Sequence, residues 1–180
     1  RVLFRSNGIT NNTSFTPVAT TTYTVTGTDV NGCINTTTKT VTVNALPTVS
    51  ATSSETSGLA NNDAIVCAGA SIKLIGSGAS TYVWDNGITN NTSFTPATTT
   101  TYTVTGTDVN GCVNTATKIV TVNALPTVSA TSSETSGLAN NDAIVCAGAS
   151  IKLIGSGAST YVWDNGITNN TSFTPVATTT

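Results

Sequence analysis

The chain repeats itself with a period of 79 residues, because the run Asn-Gly-Ile-Thr-Asn-Asn-Thr-Ser-Phe-Thr-Pro begins at Asn7, Asn86 and Asn165. From Asn7 onward, the residues that differ from their counterparts one period later are those at positions 18, 19, 34, 37, 40, 97 and 98. A fixed period of this length indicates a tandem array of small units. Such an array provides reach or multivalency and is poorly suited to building a single catalytic site.

The repeat also divides the chain. The match to the repeat is lost in residues 1–6, which we interpret as a non-native segment of the kind that a translated sequencing adapter leaves, and which we exclude from fold reasoning. We assign residues 7–45 to the C-terminal part of a first repeat, 46–124 to a complete repeat and 125–180 to the N-terminal part of a third. We therefore expect the sequence to be a window cut from a longer protein.

The composition excludes several classes of function. Without Arg1 and Arg5, the basic residues fall from 6 to 4 against 8 acidic ones, so the net charge changes from −2 to −4. A mildly acidic chain without a basic patch is not expected to bind nucleic acid. No apolar run reaches the length of a membrane span. The sequence contains no His, so it offers no histidine base, and we expect no enzymatic activity.

Strand-forming residues dominate one repeat unit, and apolar and polar positions alternate along it with turn signals every 8–12 residues. In 99–108, for example, Tyr102 and Val104 share one face and threonines occupy the other. Asn86-Gly87 and Asn110-Gly111 are turn signals. This pattern predicts an all-β fold of tandem antiparallel β-sandwiches of about 80 residues each. The predicted strands are 48–53, 71–76, 81–85, 92–95, 99–108 and 113–122, and 57–63 is a predicted loop.

Three runs of the unit carry a family resemblance: Cys-Ala-Gly-Ala-Ser-Ile-Lys-Leu, Thr-Tyr-Val-Trp, and Thr-Tyr-Thr-Val-Thr-Gly-Thr-Asp-Val-Asn-Gly-Cys. Together they resemble the Ig-like and PKD-like repeats of large surface proteins of Bacteroidetes, such as flavobacterial adhesins. The Trp-Asp-Phe-Gly-Asp-Gly run of PKD domains is reduced here to Trp84-Asp85-Asn86-Gly87, which favours the Ig-like side. The resemblance implies export to the cell surface and a role in attachment or as a spacer. It implies no active-site residues.

The order Cys67, Trp84, Cys112 is similar to the Cys…Trp…Cys order of immunoglobulin domains. We expect a disulfide between Cys67 and Cys112, because small extracellular domains often need such a crosslink. Two alternatives remain open, a bond between neighbouring units and unpaired cysteines. They remain open because the predicted strands place the two residues at opposite ends, about 20 Å apart, whereas a disulfide needs Cα atoms within about 7 Å.

The sequence contains two further candidate sites, and each also has an ordinary structural explanation. Asp63, Asp85 and Asp108 are candidate calcium ligands, but they lack the dense spacing of a calcium loop, which favours solvated turn residues. Trp84 could stack on a sugar, although its position on the face of Tyr82 favours core packing. No other cofactor is expected.

Two functions follow from these observations. The first is a structural stalk or spacer in an extracellular surface adhesin, whose partners are neighbouring repeats and, through the whole protein, surface glycans or other cells. The second is a ligand-binding surface repeated for avidity, which would bind glycans or ice. The candidate binding face is the outward row of threonines Thr99, Thr101, Thr103, Thr105 and Thr107.

Overall fold

The computed structural model describes the backbone of residues 4–5 and all atoms of residues 9–58, 60–137 and 139–176. The described residues form strands, turns and loops but no helix, so they include no helix long and apolar enough to cross a membrane. The predicted all-β fold class with antiparallel sheets is confirmed. Most of the predicted non-native segment 1–6 lies outside the described residues. The chain forms two compact units, Arg1–Val122 and Asn123–Thr180.

The strands are numbered in chain order. They are β1 (Phe4–Arg5), β2 (Thr21–Thr28), β3 (Ile34–Val41), β4 (Ser50–Glu55), β5 (Ile65–Cys67), β6 (Ile72–Ser77), β7 (Thr81–Trp84), β8 (Ser93–Phe94), β9 (Thr100–Thr107), β10 (Val113–Asn123), β11 (Ser129–Glu134), β12 (Ile151–Ser156) and β13 (Ser172–Phe173).

Strands β4 to β10 form a complete sandwich within residues 46–124. One sheet has the order β4-β6-β8 and the other the order β5-β10-β9-β7. Because side chains alternate along a strand, each sheet turns one row of apolar residues toward the other. The buried core consists of Ala64, Val66, Ile72, Leu74, Trp84, Tyr102, Val104 and Val120. We call this body the middle sandwich.

The predicted strands are present in the middle sandwich, with ends shifted by one or two residues. Strand β5 was not predicted as a strand, and it lies at the edge of a sheet beside β10, where Thr121 N–H donates to the Ala64 carbonyl at 2.8 Å. The predicted turn at Asn86-Gly87 is confirmed, since the two residues have φ values of 54° and 72°. It connects β7 in one sheet to β8 in the other.

The hairpin between β9 and β10 turns through a loop that Asp108 organises. The Asp108 carboxylate accepts hydrogen bonds from the backbone N–H groups of Asn110 and Cys112, both at 2.8 Å. Gly111 adopts a φ of 79°, a conformation that glycine reaches without steric cost. The run Asp-Val-Asn-Gly-Cys is therefore a self-contained hairpin turn.

The incomplete repeats keep the same local pairings. Strands β2 and β3 pair as the counterparts of β9 and β10, and β11, β12 and β13 pair in the order of β4, β6 and β8. The backbone of β1 also joins β2, with Phe4 opposite Thr26 and Arg5 opposite Val25. One period later, Val83 lies opposite Thr105 and Trp84 opposite Val104 in the same register.

Candidate functional site

The outer surface of β7, β9 and β10 is a sheet face of β-branched side chains without charge. It contains the exposed apolar side chains Val83, Val113 and Ile119, which are 69%, 48% and 59% exposed. The remaining members are threonines at the exposed or half-buried positions Thr81, Thr101, Thr103, Thr105, Thr107, Thr115 and Thr117. We call these ten residues the threonine face. It contains four of the five predicted binding residues.

Cross-strand pairing arranges the threonine face in rows. Thr105 lies between Thr115 on β10 and Val83 on β7. Neighbouring strands in a sheet are about 4.8 Å apart, and side chains on one face repeat every 6.6–6.8 Å, roughly, along a strand. The face therefore offers hydroxyl and methyl groups on a regular lattice that a polymeric or crystalline ligand could match.

Four of the five predicted threonines belong to the threonine face, and Thr99 does not. Strand β9 begins at Thr100, and the Thr99 hydroxyl accepts a hydrogen bond from Val122 N–H at 3.0 Å. That hydroxyl therefore joins the two strands at the end of the hairpin and is already hydrogen-bonded within the protein. Sequence reasoning also missed the contribution of β10, because a single strand does not reveal which strand lies beside it.

Trp84 is a core residue and offers no sugar-stacking platform. Its side chain is 4% exposed, and its indole N–H donates to the Asn90 side-chain oxygen at 2.9 Å. The same oxygen accepts Gly76 N–H at 2.7 Å. Asn90 thus satisfies two buried donors and fixes the indole ring. The sequence favoured core packing for Trp84, and the structure agrees.

The loop after β4 uses its oxygen atoms to hold its own backbone. The Glu55 carboxylate accepts N–H groups of Asn62 at 2.6 Å and Ala64 at 2.8 Å, and the Asp63 carboxylate accepts Ile65 N–H at 2.9 Å. Asp63 lies in this loop, whereas Asp85 and Asp108 follow β7 and β9. Among the described residues, no three or more Cys, Asp or Glu side chains gather as metal ligands would. The calcium site stays a prediction.

Two carboxyl groups, those of Asp29 and Glu134, have lowered pKa values because they accept hydrogen bonds from nearby residues. The backbone N–H of Cys33 holds the pKa of Asp29 below its usual value, with further help from Asn31 and Gly32. The Ser132 hydroxyl, which donates to Glu134, lowers the pKa of that carboxyl, and the N–H groups of Asn141 and Ala143 add to the effect. Hydrogen bonds to a carboxylate stabilise its charged form, so both lowered pKa values result from the structure of the loops.

The predicted disulfide between Cys67 and Cys112 is wrong for this structure. Both thiols are free, as are those of Cys33 and Cys146. The reason is the position of β5, because the Ala64 carbonyl is paired with the N–H of Thr121 on β10, and Thr121 lies nine residues after Cys112, which directly precedes β10. Cys67 is three residues from Ala64, so at least six residues of β10 separate the cysteines, or about 20 Å.

No protein-family model matches the chain, and no curated protein matches it. The resemblance to repeats of Bacteroidetes surface proteins stays a prediction.

Proposed function

We propose that this chain is the repeat region of an extracellular bacterial surface adhesin, in which sandwiches act as a stalk or spacer for distal modules. The observation that carries the proposal is the closure of the middle sandwich. All residues of its core and those packed against it lie between Val49 and Val122, within one period. A unit that closes its own core can be repeated in any number without a change in its neighbours.

The surface chemistry supports the same proposal. Charged residues make up only 8% of the chain, so threonine hydroxyls, rather than ion pairs, keep the outer surfaces hydrated. The Bacteroidetes resemblance adds export to the cell surface, neighbouring repeats as direct partners, and glycans or other cells as partners of the whole protein. The proposed role is mechanical and involves no catalysis.

The threonine face favours a second function. A regular, uncharged face that includes three exposed apolar side chains is a surface on which weak contacts can be multiplied along an array. Its ligand would be a glycan or ice, which present repeating hydroxyl groups or water positions. Sheet twist opposes flat matching over many rows, which places this function second.

Scattering from arrays of two, four and eight repeats tests the spacer. We expect the maximum dimension to rise linearly with repeat number, because each unit should add a fixed increment. A dimension that grows only with the cube root of mass would show compact clustering and contradict the spacer.

Substitution separates the two functions. Changing Thr101, Thr103 and Thr105 together to Lys should leave the fold intact, because surface changes usually alter stability by about 0.5 kcal/mol or less each. For a spacer, attachment of cells that carry the array should also be unchanged. Loss of attachment, glycan binding or ice shaping with the fold retained would show that the threonine face binds the ligand.

The matched control for that experiment places three lysines on exposed loop threonines of the same sandwich. Thr89, Thr92 and Thr98 are exposed and lie outside the threonine face. A loss of attachment that appears in both triple variants would be a general effect of charge. It would count against a specific role of the face and would leave the spacer in place.

A further inference from the structure

The chain contains Asn-Gly pairs in two kinds of turn, and the two kinds hold the glycine nitrogen differently. In the first kind, Asn31-Gly32 and Asn110-Gly111 lie in the hairpin loops after β2 and β9. In the second kind, Asn86-Gly87 lies in the turn between β7 and β8, and Asn165-Gly166 lies at the same place one period later. All four pairs are exposed, so the difference between them is in their backbone hydrogen bonds.

Hydrogen bonds within the protein engage the glycine nitrogen of the hairpin loops. The N–H of Gly111 donates to the Asp108 carbonyl at 3.2 Å. The Asp108 carboxylate accepts the N–H groups of Asn110 and Cys112, both at 2.8 Å. The same three bonds form around Asp29 at the same distances. The loop therefore holds the backbone nitrogens of three successive residues in place.

The glycine nitrogen is open in the turn between β7 and β8. Asn86 and Gly87 both have positive φ values, 54° and 72°, as in a type I′ turn. The N–H of Ile88 closes this turn by donating to the Asp85 carbonyl at 3.3 Å. Among the residues that the structure describes, none accepts the N–H of Gly87, and no atom outside its chain neighbours lies within 4 Å of a Cβ added to it. The Gly87 nitrogen is therefore accessible to water.

The turn one period later has the same form. Asn165 and Gly166 have φ values of 52° and 71°, and the N–H of Ile167 donates to the Asp164 carbonyl at 3.3 Å. In the described part of the chain, no group accepts the N–H of Gly166. The open glycine nitrogen is therefore a property of the repeated turn.

We propose that Asn86 and Asn165 are sites of spontaneous deamidation, and that the hairpin loops protect Asn31 and Asn110 from the same reaction. The glycine nitrogen forms a bond to Cγ of the preceding asparagine, and the bond from Cγ to Nδ2 breaks. The proton of the glycine N–H leaves with Nδ2 as ammonia. Water then opens the cyclic imide at either carbonyl and leaves aspartate or isoaspartate. Water is the sole co-reactant.

The hydrogen bonding of the glycine nitrogen decides which sites react. This nitrogen must lose its proton and turn toward the asparagine side chain, so an N–H that donates within the protein must first give up its hydrogen bond. The N–H of Gly87 has no such bond to lose. One backbone hydrogen bond of typical strength corresponds to a difference in rate of about fivefold. The two bonds to the Asp108 carboxylate add to the protection of Asn110.

The reaction changes the turn that connects the two sheets. The Asn86 Nδ2 donates to the Asp85 carboxylate at 3.3 Å, and deamidation to aspartate replaces this donor with a second carboxylate. Isoaspartate also adds one carbon to the backbone beside Ile88, which packs against the core. Each repeat that reacts gains one negative charge and has an altered connection from β7 to β8. The array therefore accumulates charge as it ages.

Peptide mapping of the full 180-residue chain tests the proposal. The folded chain and the chain unfolded in guanidinium chloride are incubated at mildly alkaline pH and then digested with trypsin. Cleavage after Lys73 and Lys118 releases Asn86 and Asn110 in one peptide, so tandem mass spectrometry compares the two sites directly. We expect similar rates at both sites in the unfolded chain, because Gly follows both. In the folded chain, Asn86 should react at least about fivefold faster than Asn110.

Substitutions at Asp108 give a matched pair. Asp108→Ala removes the acceptor of the Asn110 and Cys112 N–H groups and should speed deamidation at Asn110 several-fold without a change at Asn86. Asp108→Asn keeps an acceptor oxygen and should leave Asn110 slow. Asn86→Gln should abolish the reaction in its turn, because the longer side chain closes a ring much less readily. Near-UV circular dichroism confirms that each variant is folded.

Three results would overturn the proposal. The first is a ratio of the Asn86 rate to the Asn110 rate that is no greater in the folded chain than in the unfolded chain. The second is a folded chain in which Asn86 does not react while the unfolded chain does, which would show that the turn prevents ring closure. The third is a folded Asp108→Ala variant in which Asn110 stays as slow as in the unsubstituted chain.

Discussion

Asn90 shows how much of the middle sandwich depends on single polar atoms. Its side-chain oxygen accepts two buried donors, the indole N–H of Trp84 and the backbone N–H of Gly76. One period later, Asn169 accepts the counterparts of both groups, the indole N–H of Trp163 and the backbone N–H of Gly155. The polar anchor of the tryptophan is therefore local, because it forms both with and without strands of the type β9 and β10.

Asn90→Ala should destabilise the middle sandwich by roughly 2–4 kcal/mol, because it leaves two buried donors without an acceptor. Urea denaturation followed by fluorescence in a Trp163→Phe background, where Trp84 is the remaining tryptophan, measures the change. The control Thr89→Ala removes an exposed hydroxyl and should alter stability by about 0.5 kcal/mol or less. Equal stability of the two variants would show that the Asn90 bonds contribute nothing.

At the level of elements, identical sequences take different structures. Residues 81–84 form β7 beside β9, whereas the same four residue types at 160–163 form no strand. The run Ile-Val-Cys forms β5 at 65–67 but no strand at 144–146. These two strands exist only where a hairpin of the type β9–β10 pairs with them.

This contrast explains what the sequence could predict. The turn at Asn110-Gly111 and the alternation of β9 are local and were predicted. Strand β5 was missed, and the Cys67–Cys112 disulfide was predicted wrongly, because both depend on which part of β10 lies beside β5. The threonine face was predicted in part, since β9 supplies one row by itself and the rows from β7 and β10 require the sheet order.

The hairpin turn after β2 should respond to acid through Asp29. The ordinary pKa of this carboxyl is 3.8, and the hydrogen bonds from the turn lower it in the folded state. A lowered folded-state pKa means that the turn is stabilised above about pH 4 and loses this contribution as pH falls through the folded value. NMR titration should give a midpoint below 3.8 for Asp29.

The Cys33 amide gives an independent reading of that titration. It donates to Asp29 at 2.8 Å, so its chemical shift should follow the same midpoint. Asp29→Asn should remove this pH dependence. A midpoint at or above the ordinary value would contradict the role assigned to the turn hydrogen bonds.

At the level of the whole molecule, the middle sandwich closes its core within one repeat. Its two sheets, its core and the anchor of Trp84 all lie within residues 46–124. The described residues 9–45 contain the hairpin of β2 and β3 without a second sheet, and an isolated hairpin is at best marginally stable in water. Residues 46–124 and residues 9–45 should therefore differ sharply in stability when each is isolated.

Residues 46–124 alone should unfold in one cooperative transition that far-UV and near-UV circular dichroism report at the same midpoint. Residues 9–45 alone should show no cooperative transition. The free thiols imply that a reducing agent leaves the midpoint of 46–124 unchanged. A disordered spectrum for 46–124 would mean that the unit needs its neighbours and that the repeat borders are drawn wrongly.

Trp163 is half-buried, whereas its counterpart Trp84 is 4% exposed, and this difference has a consequence for the order in which such an array is made. A ribosome adds about 5–20 residues per second, so the segment from β8 to the end of the core part of β10 takes about 1–5 s to follow. During that interval the front strands of a new unit resemble the unit that contains Trp163. Any finished hairpin with the sequence of β2 can then compete for the uncovered side of the tryptophan, and rapid synthesis of the unit's own hairpin favours correct closure.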